Sequence, residues 1–179
     1  FGNRGFRGGG PAPRRARSIR ATIALTLEQA YHGGPQRITL NGRTYDVRIP
    51  AGISAGQVIR LAGQGPDGSD VLLEVALAPH PRFDVEGCDV IGRLTLMPWQ
   101  AALGASVPVE TLGGTVTLRI PPDTTSGRRM RLKGRGLAGQ PPGDHYVRIE
   151  IQAPAATNDR QRDAYRELAR AFGDASIEG

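Results

Sequence analysis

Three kinds of residue in this 179-residue sequence have the types that chemistry needs: three histidines, one cysteine and a cluster of cations. His32, His80 and His145 are scattered, and none has a second histidine or a cysteine at i+3 or i+4, the spacing that puts two donors on one helix face. They read as surface or turn histidines. Cys88 sits between Gly87 and Asp89 with no neighbouring base to take its proton, so it reads as a passive thiol. A single cysteine also excludes an internal disulfide framework and a Cys-based zinc cluster. Gly134-x-Gly136-x-x-Gly139 has the spacing of a dinucleotide loop, which requires a helix N-terminus directly after it. Gln140-Pro141-Pro142-Gly143 follows instead, and the stretch reads as a loop. No serine reads as the nucleophile of a strand-to-helix elbow, and every titratable residue reads as solvated. With no nucleophile or acid–base pair, the expectation is a chain that is not an enzyme, with no cofactor and no metal.

What remains is the chemistry of contact. Arg128, Arg129, Arg131, Lys133 and Arg135 put five cations into eight residues. They are either the solvent face of a short strand or a landing site for an acidic peptide or polyanion. Tyr165, Leu168 and Phe172 (i, i+3, i+7) make one apolar stripe on a C-terminal helix capped by Asn158 and ended by Gly173. That stripe either docks on its own domain or meets a second copy in a two-fold contact. Ala21, Ile23, Ile38, Leu40 and Phe83 come from two strands and a Pro-rich connector. Singly, Ile23 and Leu40 read as core. Together with an aromatic ring on a proline-fixed arm, the five form a shallow groove beside a sheet edge, of the kind that binds extended peptides by adding a strand.

The elements that must position these residues occur twice. RTYDVRIPAGISAGQVIRLAGQG (43–65) returns 71 residues later as GTVTLRIPPDTTSGRRMRLKGRG (114–136), and 14 of the 43 positions from Ile23 to Gly65 are identical to their partners. Leu25, Gln29-Ala30, Gly33 and Gly42 match Leu96, Gln100-Ala101, Gly104 and Gly113. Two copies at so long a period make a duplicated small domain and not a solenoid. Within the first copy, Ile19 to Leu25 alternate as a half-buried strand and Leu27–Tyr31 make a helical turn. Asn41-Gly42 is a hairpin signal, and Tyr45, Val47 and Ile49 return to a stop at Pro50. Val58–Leu61 and Val71–Leu77 are further strands, and Pro79–Phe83 is a rigid connector. Positions 52 and 123 (Gly and Asp) and 56 and 127 (both Gly) are expected at positive φ. The second copy runs from Asp89 to Ile151. The fold class is therefore mostly β: two tandem, similar small β-sandwich domains at 17–84 and 85–153, then a helix and tail at 154–179. Residues 1–16 read as a flexible Gly/Phe-rich linker.

With 25 Gly and 14 Pro against four Phe, four Tyr and one Trp, the composition suits turn-rich β structure with a lean core. No apolar run approaches the ~18 residues of a membrane span. The expectation is a cytoplasmic protein with no membrane partner. Beginning at Phe1, the chain reads as a fragment. The net charge of +6 resides in the tail: six arginines and no acid fall in residues 1–20. Residues 21–179 hold 17 of the 23 basic residues against all 17 acidic ones. A body without excess positive charge lacks the usual footprint of a nucleic-acid binder.

At this point the sequence resembles the carboxyl-terminal region of a class B DnaJ-type co-chaperone, the J-domain proteins without a zinc-finger insert. The Phe/Gly stretch 1–10 is similar to that family's linker. LTLEQAYHGG (25–34), VRIPAGISAGQVIRLAGQG (47–65), PHPRFDVEGCDV (79–90) and LRIPPDTTSGRRMRLKGRG (118–136) are similar to its two β-domains. The resemblance implies a V-shaped homodimer, part of the heat-shock and stress response. It holds unfolded client polypeptides and delivers them to a DnaK-type chaperone. It places the client groove on Ala21, Ile23, Ile38, Leu40 and Phe83, and the pairing of protomers on Tyr165, Leu168 and Phe172. The J-domain with its His-Pro-Asp tripeptide is absent, so this chain is not expected to stimulate an ATPase. Part of the family binds DNA. The alternative is thus a DNA- or polyanion-binding architectural protein, with weak DNA binding through the arginine tail and Arg128–Arg135.

Overall fold

The computed structural model describes residues 18–139, 141–174 and 176; the expected linker 1–16 and its arginines lie outside them. The alternation at the start of the sequence becomes β1 (Ile19–Leu25), whose Ile23 and Leu25 are buried while Arg20, Thr22 and Ala24 are exposed. Helix α1 (Leu27–His32) follows, then β2 (Gly34–Leu40), β3 (Arg43–Ile49), β4 (Val58–Leu61) and β5 (Val71–Leu77). A strand that the sequence reading missed, β6 (Phe83–Glu86), begins on the residue assigned to the connector. The second copy supplies β7 (Asp89–Leu96), α2 (Pro98–Leu103), β8 (Ala105–Thr111), β9 (Gly114–Ile120), β10 (Arg129–Leu132) and β11 (His145–Ile151), and α3 (Asp159–Ala171) comes last. The fold is mostly β, as expected.

Both copies wind in the same order. β5 runs between β1 and β4, just as β11 runs between β7 and β10, with β6 added beyond β7. β2 pairs with β3, and β8 with β9, as separate hairpins. β1 and β5 are parallel, from Ile19 opposite Val71 to Leu25 opposite Leu77. Compactness divides the chain into two units. One comprises the described residues up to Gly92 with Arg131–Tyr146; the other comprises Arg93–Met130 with the described residues from Val147. In the first, Ile23, Leu25, Tyr45, Val47, Ile49, Val71, Leu73 and Val75 form the core.

The identities shared by the copies have physical reasons. Gln29 and Gln100 each turn their side chain back to accept the N-cap amide, of Thr26 and Met97, at 2.9 Å, satisfying a donor that a helix start leaves unpaired. Gly33 and Gly104 end those helices at φ 63° and 82°. A Cβ on Gly33 would lie 2.6 Å from the Ile49 carbonyl oxygen, and one on Gly104 3.0 Å from that of Ile120, so the helix end sits against the close of the hairpin only without a side chain. Gly52 and Asp123 both take positive φ (74° and 56°), as do Gly56 and Gly127. Arg60 and Arg131 serve a clasp on the loop after β4 and β10. Arg60 Nη2 meets Asp70 at 2.6 Å while the Gly63 amide donates to the same carboxylate at 2.9 Å; Arg131 and Gly134 do this to Asp144 at 2.6 and 2.7 Å. The Gly63 and Gly134 amides first, and then the arginines, hold both carboxyls below the usual Asp range.

Besides Tyr45 in the core, two residues correct the expectation that every titratable group is solvated. Asp144 is buried within its clasp, and His145, expected at a surface or turn, is fully buried at the start of β11. Among the described residues neither ring nitrogen of His145 has a hydrogen-bond partner. Gly92 makes the room, since a Cβ there would lie 2.8 Å from His145 Nε2. Burial pushes the His145 pKa down, so the fold favours the neutral ring while the unfolded chain takes a proton near ~6.5. His145 therefore leaves stability intact above that value and withdraws it as pH falls, by at most ~1.4 kcal/mol per pH unit. The melting temperature is expected to drop between about pH 7.5 and about pH 5.5, and to drop less in His145→Leu, which keeps the apolar volume and cannot charge. Scanning calorimetry at the two pH values checks this; equal drops in the two proteins would contradict it.

Candidate functional site

Two surfaces come together in the first unit. The first is the open edge of β1. The Ile19 amide donates to Asp70 O at 2.8 Å, and the Leu25 carbonyl accepts from Ala78 N at 2.8 Å. The odd-numbered residues therefore face β5. By alternation, the N–H and C=O groups of Arg20, Thr22 and Ala24 point to the opposite edge, where no strand pairs among the described residues. Beneath that edge Ile23 is core, 4% exposed, whereas Ala21 on β1 and Ile38 and Leu40 on β2 are half-buried against the same cluster. Four of the five expected groove residues thus share one packed cluster, with three of them partly open.

The fifth, Phe83, lies elsewhere. It is buried, 8% exposed, and borders a cleft of about 740 Å³ whose walls include Leu27, Ser54, Leu77, Pro79, His80 and Cys88. None of Ala21, Ile23, Ile38 and Leu40 lines that cleft. The Phe83 ring stacks on His80 with centroids 5.0 Å apart, and meets His145 edge-on at 5.4 Å; the Arg82 guanidinium stands 5.6 Å from its centroid. His80 is the centre of this wall. Its Nδ1 accepts the amides of Arg82 and Phe83 at 3.2 and 3.1 Å, and its Nε2 donates to Glu28 Oε1 at 2.9 Å. The Cys88 thiol meets the Ser54 hydroxyl at 3.4 Å. Sequence reading passed over His80 as a turn residue, although a histidine between two prolines was a signal for a fixed ring. Ser54 and Cys88 are 34 positions apart, and nothing in the sequence joins them.

In the second unit, α3 starts at the Asn158 cap, whose side chain accepts the Gln161 amide at 2.9 Å. None of its residues is buried. Tyr165 is tied to its own chain by a hydroxyl that donates to Pro154 O at 2.6 Å. Leu168 and Phe172, the rest of the stripe, are 49% and 82% exposed. β10 is an edge strand carrying exposed Arg129 and Arg131, flanked by exposed Arg128, Lys133 and Arg135. Gly134, Gly136 and Gly139 lie in the loop after it, and the next element is the strand β11 and not a helix, so the dinucleotide spacing is a loop feature. Among the described residues no helix is long and apolar enough to cross a membrane.

Comparison with known proteins agrees with this architecture. The DnaJ C terminal domain matches residues 19–154. A Coxiella burnetii protein named Curved DNA-binding protein is 42% identical over 175 residues, covering 87% of this chain and 56% of its own length. Chaperone protein DnaJ 2 of Thermus thermophilus is 40% identical over 176 residues, covering 96% of this chain and 63% of its own length. A Pseudomonas putida Curved DNA-binding protein is 38% identical over 180 residues, with 88% and 56% covered. The chain spans a little over half the length of the curated relatives it matches. The family model spans both copies of the repeat, from β1 through β11, and so most of this chain, which belongs to the DnaJ C-terminal domain family.

Proposed function

We propose that this chain is the polypeptide-holding region of a DnaJ-type co-chaperone, a binding module and not an enzyme. In the full-length protein it passes unfolded clients to a DnaK-type partner. The observation that carries this reading is the open edge of β1 beside half-buried apolar side chains. An extended client would hydrogen-bond to the backbone of Arg20, Thr22 and Ala24 as an added strand, and its side chains would rest on Ala21, Ile38 and Leu40. Backbone pairing is indifferent to sequence, which suits a holder of many clients. Ile23, being buried, forms the floor beneath these side chains, and Phe83 walls the separate cleft in the same unit. Two or three side chains at ~1.5–3 kcal/mol each give about 5 kcal/mol gross, or hundreds of micromolar. One such site is weak and releases readily.

Leu40→Ser is expected to weaken binding of a labelled, permanently unfolded peptide several-fold, read by fluorescence anisotropy, with little change in melting temperature. Unchanged binding would remove Leu40 from the site. Phe83→Ala is a less direct test, because truncating a buried Phe costs about 3–5 kcal/mol of stability.

Weak sites hold a long chain only when two are presented together, since the second contact is then intramolecular. The uncovered Leu168 and Phe172, beside the tethered Tyr165, support α3 as the place where two copies pair with two-fold symmetry. A dimer is expected in sedimentation at micromolar concentration, and Leu168→Asp should give folded monomers that bind short peptides normally and lose most of their grip on long unfolded chains. A wild-type chain that sediments as a monomer throughout would contradict this.

The relatives named for curved DNA, the arginines of the N-terminal sequence (Arg4, Arg7, Arg14 and Arg15) and the exposed cations from Arg128 to Arg135 favour DNA as a second, weaker partner. Deleting residues 1–16 is expected to remove most DNA retention at low salt and to reduce its salt dependence. A trimmed chain that binds as tightly as the whole would shift the contact to Arg128–Arg135.

A further inference from the structure

The connector before β6 is held by a histidine that works only when neutral. His80 Nδ1 faces two donors, the amides of Arg82 and Phe83, while its Nε2–H is given to Glu28. A proton added at Nδ1 turns the shared acceptor into a third donor, and both amide bonds are lost. The Glu28 bond survives as an ion pair. His145, edge-on to Phe83, is buried with no partner for either ring nitrogen among the described residues, so a charge there has no compensating group among them. From these contacts we propose that His80, Phe83 and His145 form an acid-sensitive latch. It closes the wall of the cleft while His80 is neutral, with buried His145 backing the Phe83 ring, and releases the Arg82–Phe83 segment when His80 Nδ1 is protonated.

The groups around the latch are consistent in direction. Glu28, from α1, is held below the usual Glu range chiefly by a backbone hydrogen bond, with His80 a smaller contributor. It therefore stays ionised through the range where histidines titrate, and holds the His80 ring at Nε2 while Nδ1 lets go. Arg82 stands over Phe83, and Asp84 and Cys88 line the cleft beside it. On the other side His145 meets Phe83 and Gly92. Its neighbour Asp144 is committed to Arg131 and Gly134 and offers the ring nothing. Histidine is the side chain whose charge most often changes between about pH 5 and about pH 8, which sets the range over which the latch is tested. The device does not depend on what the cleft or the β1 edge binds.

The test is amide hydrogen exchange on the 179-residue chain, corrected for the intrinsic pH dependence of exchange, at about pH 7.5 and about pH 5.5. Protection of the Arg82 and Phe83 amides is expected to fall at least about tenfold relative to the Val47 and Val75 amides of the core. His80→Asn places a carbonyl oxygen near the position of Nδ1, accepts the same two amides as an Asx-turn and cannot be protonated, so its protection should be independent of pH. Protection that is equal at both pH values in the wild type, or that falls as much in His80→Asn, would overturn the latch. Should the variant not fold, the ring 15N shifts of wild-type His80 decide. Nδ1 protonating in step with the loss of protection supports the latch; Nδ1 staying unprotonated while protection falls overturns it.

Discussion

The first unit depends on β5 running home between β1 and β4. Val71 to Leu77 pair with Ile19 to Leu25 on one side and with Val58 to Leu61 on the other, and their buried Val71, Leu73 and Val75 complete the core. The pairing joins residues about fifty positions apart, so the intervening hairpin and helix must already fit around it. It also decides which edge stays open. With its odd residues committed to β5, β1 has only the amides and carbonyls of Arg20, Thr22 and Ala24 to offer. An open edge is a hazard for most proteins; here it is short, and Arg20 stands on it. The geometry that closes the core is the one that leaves a strand's worth of hydrogen bonds for a partner.

Duplication makes the scaffold's requirements visible, because positions kept in both copies are those the small fold needs. The Gln that caps the N-terminus of each short helix, the Gly at its end and the Arg that grips an Asp across the loop recur with equivalent contacts. The copies differ where the fold is indifferent. Glu28 in α1 pairs with His80, whereas the equivalent position in α2 is Trp99, which is half exposed. The connector latch thus belongs to one copy alone.

Much of this was legible in the sequence, and the misses share a cause. Period-two alternation located β1, β3, β5 and β11, Asn41-Gly42 located the first hairpin, and Asn158 and Gly173 bracketed α3. Those signals are local, set by neighbours within a few residues. Burial of His145 was not legible, because it depends on Gly92 and Phe83, more than fifty positions away. β6 was missed for a similar reason: four residues after two prolines carry little alternation, and only pairing with β7 makes them a strand. The groove residues were read as one set because each is apolar on a strand or arm. Sequence spacing could not tell that Ala21, Ile23, Ile38 and Leu40 share the core cluster while Phe83 faces a separate cleft.

The account stands on the β1 edge, and the most direct measurement is residue-resolved. Backbone amide shifts and exchange of the isotope-labelled chain, followed while an unlabelled apolar unfolded peptide is added, report where a strand is gained. The account predicts new protection at Arg20, Thr22 and Ala24, shifts at Ala21, Ile38 and Leu40, and no change at the odd-numbered amides already bonded to β5. Amides at 20, 22 and 24 that stay unprotected at saturating peptide, with the changes falling instead on Arg128–Arg135 or on the second unit, would contradict it.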